Sequence, residues 1–342
     1  MTRRHRFHSY GDVVVAVPVR NEAERLPRLL ASLAQQHSAP SFRLALFFDS
    51  CTDSSFELVA ALAGDLPYKV VTARTADVGL PNAGRARRSA VALAMSHEME
   101  GILLTTDADS QPAPDWIAAN LAALETADVV AGRITQGPGP SSEKRDRLEC
   151  YFDRLHAIRR AIDPVDWEAS RAHHWTSSAS LALRMTTYSA LGGFEPIPNG
   201  EDAALCDAAA RAGYRVRRDA RVTVQTSTRR LGRADQGFAA MLRMLDDADE
   251  LPTVSHPDDE AWRFLMHAAA RTRHGAADYG HLAERLGLPH AEVDQVATEC
   301  RNGEAFAARI VGAPPQGMRT VCLGEAERLL AKLENGMLER VA

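Results

Sequence analysis

Short Val- and Leu-rich runs alternate with amphipathic stretches through the first hundred residues, and this alternation limits the fold more than any other feature of the chain. Residues 12–19 (DVVVAVPV) are apolar almost throughout and bounded by polar residues, the pattern of a strand buried on both faces of a parallel sheet. Leu26, Leu29, Leu30 and Leu33 then recur at i, i+3, i+4 and i+7, which predicts a helix over about 22–36 with Pro27 tolerated in its first turn. The cycle repeats with a run at 42–48 ending on Asp49, a helix at 56–63, a strand at 68–72, a helix at 84–97 after the loop GLPNAG, and a strand at 101–105. Strand–helix alternation of this kind implies right-handed crossovers and a parallel sheet with helices on both faces. Ligands of such sheets sit beyond the carboxyl ends of the strands.

Two turns at those ends carry carboxylates. One is DSCTD at 49–53; the other is TTDADSQPAPDW at 105–116, where Asp107 and Asp109 stand one residue apart behind Gly101-Ile102-Leu103-Leu104. Taken alone, the second is a polar turn built from residues that favour turns. Its position after the fourth strand, facing the same crevice as Asp49, favours a clamp for a metal and a diphosphate. The first strand is followed by VRNEAER rather than GxGxxG, which disfavours a dinucleotide cradle, and no GxxxxGK[ST] supports a P-loop.

The second half continues with a strand at 129–134, a Gly/Pro/Ser-rich loop (TQGPGPSSEKRD) of the kind that forms lids, and a helix at 147–162. The apolar stretch SASLALRM precedes Gly192-Gly193-Phe194, a helix at 202–212 ends before Gly213, and short strands are expected around 214–217 and 222–226. Beyond about residue 232 the spacing of Phe238, Met241, Leu242 and Leu245 is helical, and the remainder reads as short helices with a Gly- and Pro-containing break near residue 312. The acidic run DDADE at 246–250 is expected to be a solvated helix end.

Composition narrows the function classes. With 342 residues, 45% hydrophobic and 25% charged, the chain buries a full core, and 40 basic against 45 acidic residues give a net charge of −5 that offers no basic surplus for nucleic acid. The five cysteines are scattered without a C-x-x-C pair, so neither a zinc site nor a disulfide framework is expected, and a reducing cytoplasm fits. The basic start MTRRHRFHSYGD leads into an apolar run interrupted by Pro18 and followed by Arg20, unlike a signal peptide, and no stretch reaches transmembrane length.

Read in order, PVRNE, DSCTD, ARRSAVALA, DAD, LGGF and GED resemble the successive motifs of family 2 glycosyltransferases of the GT-A fold, over roughly residues 12–230. The resemblance implies an α/β fold, a GT-A type, mostly parallel nucleotide-binding sheet flanked by helices. A glycosyltransferase domain would span 1–231, with a nucleotide-binding half at 12–134 and an acceptor-side half at 146–231, followed by a helical C-terminal extension at 232–342. The activity implied is inverting transfer of a sugar from a UDP- or GDP-sugar to an acceptor hydroxyl, with Mn²⁺ or Mg²⁺. The acceptor is open, a glycan or lipid-linked glycan being the expectation, at a cytoplasmic or inner-membrane-face location. The extension is free to serve dimerisation, acceptor binding or stability.

By the same resemblance, Asp49 accepts a hydrogen bond from the donor's pyrimidine imide, and Pro18, Arg20, Glu22 and Arg85 line the nucleotide pocket. Asp49 as a turn former and Glu22 as a helix-start carboxylate are the plainer alternatives. Asp107 and Asp109 would hold the cation, Asp109 directly and Asp107 through the ion or the ribose, because hard divalent ions take carboxylate and phosphate oxygens together. Asp202 would be the general base, although an acid at a helix start is equally an ordinary cap. Arg230, with Arg229 beside it, is a candidate for the diphosphate, against a solvated basic turn. His173 and His174 point apart on an extended chain and are read as structural, with Trp175 beside the sugar.

The family pattern is not fully kept. Its A-R-N-x-G appears as Ala86-Arg87-Arg88-Ser89-Ala90, and its frequent His after the last strand is replaced by Thr226-Ser227, which puts a third protein metal ligand in doubt. A nucleotidyltransferase that builds the sugar nucleotide, and a catalytically silent sugar-nucleotide-binding protein, are the competing readings.

Overall fold

The computed structural model describes residues 12–75, 81–95, 100–137, 142–230, 232, 238–247 and 250–338. The expected features at Gly79-Leu80, His97, Pro138 to Ser141, Leu231 and Arg233 lie outside these residues.

The expected alternation is present. Strand β1 (Asp12–Val19), helix α1 (Leu26–Ala34), β2 (Phe42–Asp49), α2 (Ser55–Leu62), β3 (Lys69–Thr75), α3 (Ala83–Met95) and β4 (Gly101–Thr105) follow one another, and β1 pairs in parallel with both β2 and β4 while β2 pairs in parallel with β3. Helix α1 begins at Leu26 rather than near Glu22, so Pro27 falls in its first turn, where a missing N–H costs nothing. Leu26, Leu29, Leu30 and Leu33 are all buried against the sheet.

The second half completes one eight-stranded sheet in the order β3-β2-β1-β4-β7-β6-β8-β5. Its members are β5 (Gln111–Pro112), α4 (Trp116–Ala123), β6 (Val129–Gln136), α5 (Glu143–Ile162), β7 (Leu181–Arg184), α6 (Met185–Ala190), α7 (Glu201–Arg211) and β8 (Val216–Thr226). Only β7 and the two-residue β5 run against the rest. Where two short strands were expected near residues 214–226, β8 is one strand with a register shift. Gly132 pairs with Asp219 and Arg133 with Thr223, and Asp219 holds the extra residues by accepting from Arg217 and Arg221.

The C-terminal part consists of α8 (Phe238–Asp247), β9 (Thr253–Ser255), α9 (Pro257–Arg273), α10 (Gly280–Leu286), α11 (His290–Glu299), α12 (Gly303–Ile310), β10 (Thr320–Cys322) and α13 (Leu323–Leu338). The antiparallel β9–β10 pair is an addition to the helices expected there. Met266, Leu282, Val293 and Phe306 build one core of this part, whereas Phe264, Leu323 and Leu330 share theirs with Tyr151, Leu155 and Ile158 of α5. The change of composition near residue 232 therefore does not coincide with a gap in packing. Asp246 and Asp247 are exposed at the end of α8, as a solvated helix end should be.

Candidate active site

The carboxyl ends of β1, β2 and β4 open into a cavity of about 540 Å³, closed on the far side by the loop before β7 and the start of α7. At the end of β1 the chain turns through Asn21 with a φ of 53°, and at the end of β2 through Ser50 with a φ of 52°. The Asn21 side-chain oxygen accepts from the backbone N–H of Thr52 at 2.7 Å, so the two turns are tied into one rim. Asn is among the few residues that enter this conformation at modest cost. That rim presents Pro18, Arg20, Glu22 and Asp49 to the cavity. Asp49 is buried and accepts from Arg20 Nη1 at 3.2 Å, and the Glu22 backbone N–H donates to Ser55 Oγ at 2.9 Å.

Asp107 and Asp109 follow β4, where Thr105 Oγ1 donates to the Ser178 carbonyl at 2.7 Å and so links the strand end to the opposite wall. Asp109 is the more buried of the two, with its side chain 12% exposed against 33% for Asp107. Its carboxyl is pushed up to about 6, first by burial and then by the charges of Asp107 and Glu22, with Arg229 acting in the opposite sense. On the far wall, Gly200 has a φ of 77° immediately before α7, and Glu201 and Asp202 open that helix. Asp202 Oδ1 accepts from the Ala203 N–H at 2.8 Å and Oδ2 from the Ser178 N–H at 3.1 Å, which holds the partly exposed carboxylate at the cavity wall.

The turn after β4 and the far wall are joined by a residue that motif reading passed over. Arg87, buried on α3, donates to Asp107 Oδ1 at 2.7 Å, Glu201 Oε1 at 3.2 Å and the Ser178 carbonyl at 3.4 Å. Its guanidinium is held firmly protonated: Asp107 and Glu201 together outweigh the burial that opposes them. The signal was present in Ala86-Arg87-Arg88, but Arg85 was preferred as the nucleotide-pocket residue. Arg85 is exposed and absent from the cavity wall, because on α3 it is two residues, about 200°, away from Arg87.

A similar correction applies after β8. Arg230 turns away to pair with Asp246 of α8 at 2.5 Å, whereas Arg229 lines the cavity, contacting Glu22 and lying 3.2 Å from Asp109. The histidines diverge as expected. His173 is buried with Nε2 against the Ala131 carbonyl at 3.2 Å and is driven down to about 3 by burial; His174 Nδ1 meets Asp153 at 2.7 Å. Trp175 lines the cavity.

Among the described residues, no group of three or more His, Cys, Asp or Glu side chains is placed to hold a metal ion. Asp107 and Asp109 nevertheless suit one. They are two hard oxygen donors, one of them disfavoured in its charged form by burial, and a cation would relieve that cost. Thr226 and Ser227 line the same wall.

Residues 14–174 match the model of glycosyl transferase family 2. Among curated proteins, an undecaprenyl-phosphate 4-deoxy-4-formamido-L-arabinose transferase of Salmonella choleraesuis is 27% identical over 126 residues, 36% of this chain. The match spans 37% of the length of that relative. Among solved structures, Staphylococcus aureus TarS in complex with UDP-GlcNAc superposes with a TM-score of 0.48 at 17% identity, over 84% of this chain and 80% of that one. A mannosyltransferase from Pyrobaculum calidifontis in complex with GDP-Man and Mn²⁺ gives a TM-score of 0.46 at 19% identity, over 86% and 85%.

Proposed function

We propose that this chain, whose residues 14–174 match the model of glycosyl transferase family 2, is a glycosyltransferase that moves a sugar from a UDP- or GDP-sugar to an acceptor hydroxyl with inversion at the anomeric carbon. The observation that carries this reading is the convergence of Asp49, the Asp107/Asp109 pair and Asp202, from three separate places in the chain, on one cavity at the strand ends.

In this reading Asp49, with Arg20 beside it, receives the base of the nucleotide. Asp107 and Asp109 would hold a Mn²⁺ or Mg²⁺ ion, and such an ion would supply positive charge near the diphosphate leaving group. Asp202 takes the proton of the acceptor hydroxyl, whose oxygen attacks the anomeric carbon opposite the breaking C–O bond to the diphosphate. The hydrogen bonds from Ser178 and Ala203 aim the Asp202 carboxylate, and Arg87 keeps the metal-side and base-side turns at a set separation. Residues 1–231 would carry this chemistry and 232–342 would support it.

The relative from Salmonella choleraesuis bears undecaprenyl phosphate in its name, and a lipid-linked acceptor met at the inner face of the membrane is compatible with this chain. Among the described residues no helix is long and apolar enough to cross a membrane. Incubation with a panel of nucleotide sugars and Mn²⁺ should release the free nucleoside diphosphate. Pyrophosphate release from a nucleoside triphosphate and a sugar phosphate, with no such activity on the sugar nucleotides, would instead identify a nucleotidyltransferase.

A further inference from the structure

Both carboxylates of the DAD turn already have a cation from the chain itself, and the two cations are held differently. Arg87 is buried inside helix α3 and has three partners on two walls, so its position is set by the fold. Arg229 lies beyond the last residue of β8, on an irregular segment, with its side chain 17% exposed. Its guanidinium bridges the buried Glu22 and the mostly buried Asp109 at the cavity wall. The bridge ties the turn after β1, which carries Glu22, to the turn after β4, which carries Asp109.

Resting on the metal-dependent reading above, we propose that Arg229 is an internal counterion that occupies the cation position at Asp109 until a divalent ion arrives with its diphosphate. Arg229 would then leave Asp109 to the ion and turn toward the phosphate oxygens, which take a planar guanidinium well. With a sugar nucleotide, whose diphosphate carries two negative charges, a divalent ion arriving alongside leaves the net charge of the cavity unchanged. Without a ligand, Arg229 offsets the clustered charges of Glu22, Asp107 and Asp109. With the ligand, the divalent ion takes that role and Arg229 turns to the anionic diphosphate. The ion alone must displace an ion pair, whereas the ion with a diphosphate gives Arg229 a new partner, so the pair should bind together more tightly than either does separately.

The test is Mn²⁺ binding, read from the electron paramagnetic resonance signal of the free ion, with and without UDP and GDP, in the full chain and in Arg229→Gln, Arg229→Lys and Asp109→Ala. Removing a positive charge this close to the ion site should tighten binding of Mn²⁺ alone about tenfold in Arg229→Gln. The same variant should bind Mn²⁺ in the presence of the nucleotide more weakly than the unmodified chain, and Arg229→Lys should stay within about threefold of it in both conditions. A residue that merely supports the loop would weaken both measurements together or leave both unchanged, and either pattern overturns the proposal. If Asp109→Ala binds Mn²⁺ with nucleotide as the unmodified chain does, the assignment of the metal site fails and the exchange fails with it. If Asp109→Ala loses binding while Arg229→Gln changes nothing, the metal site stands and only the exchange is refuted.

Discussion

Replacing Arg87 by Met keeps much of the side chain's volume on α3 and removes its charge. Glu201 is then left buried, its side chain only 5% exposed, with the Ser178 hydroxyl at 3.2 Å as its remaining side-chain donor. Breaking a buried ion pair from one side typically costs about 3–5 kcal/mol. The surviving hydrogen bond places this case at the lower end, about 3 kcal/mol, and the loss at Asp107 adds at most about 1 kcal/mol because that carboxylate is 33% exposed. With an unfolding entropy of about 2.1 cal/mol/K per residue over 342 residues, 3–4 kcal/mol lowers the melting temperature by about 4–6 °C. The decisive assay is a double-mutant cycle with Glu201→Gln, followed by urea unfolding at neutral pH. If the buried pair carries the cost, the double variant should be more stable than the sum of the single losses by at least about 1.5 kcal/mol. Losses that add to within about 0.5 kcal/mol would refute the coupling of the two turns through Arg87.

Asp202→Asn should retain nucleotide binding while turnover falls about 10²- to 10⁴-fold, the usual contribution of a positioned general base; full turnover in that variant would remove Asp202 from the role. Asp109 is raised from 3.8 to about 6 in the folded chain, so the native state binds more protons than the unfolded one between those values and stability falls as pH rises through that window. In metal-free buffer Asp109→Asn should therefore be more stable than the unmodified chain at pH 7.5, by about 3 kcal/mol, with the gain nearly gone near pH 4, and it should lose Mn²⁺ binding. Equal melting temperatures at both pH values would contradict the burial argument. A Cβ at Gly84 would lie 1.9 Å from the Glu195 carbonyl oxygen, on the loop that leads to Gly200 and Asp202. Gly84→Ala should cost about 1–3 kcal/mol and lower turnover more than nucleotide binding, and unchanged kinetics would show that this loop does not place the base.

The parallel part of the sheet could be read almost strand by strand, because Val-rich runs buried on both faces and helices with one apolar stripe leave little choice of element type. The strand-end position of Asp49 and Asp107 was legible for the same reason, since chain direction alone puts both turns on one side of a parallel sheet. The two-residue strand β5 was not legible, as Gln111 and Pro112 become a strand only by pairing with β8. Nor was the continuity of β8, which depends on Asp219 holding Arg217 and Arg221 across the irregular register.

What the sequence determined by itself was the order of elements and the set of acidic turns, because those follow from local periodicity and from where each run ends. Which arginine serves the cavity was decided only by tertiary structure. Arg85 and Arg87 share a helix, and Arg229 and Arg230 share a loop, so composition cannot separate the members of either pair. The direction in which each side chain leaves the backbone separates them. Arg87 faces inward between Asp107 and Glu201, and Arg229 reaches Asp109 while its neighbour is drawn off by Asp246.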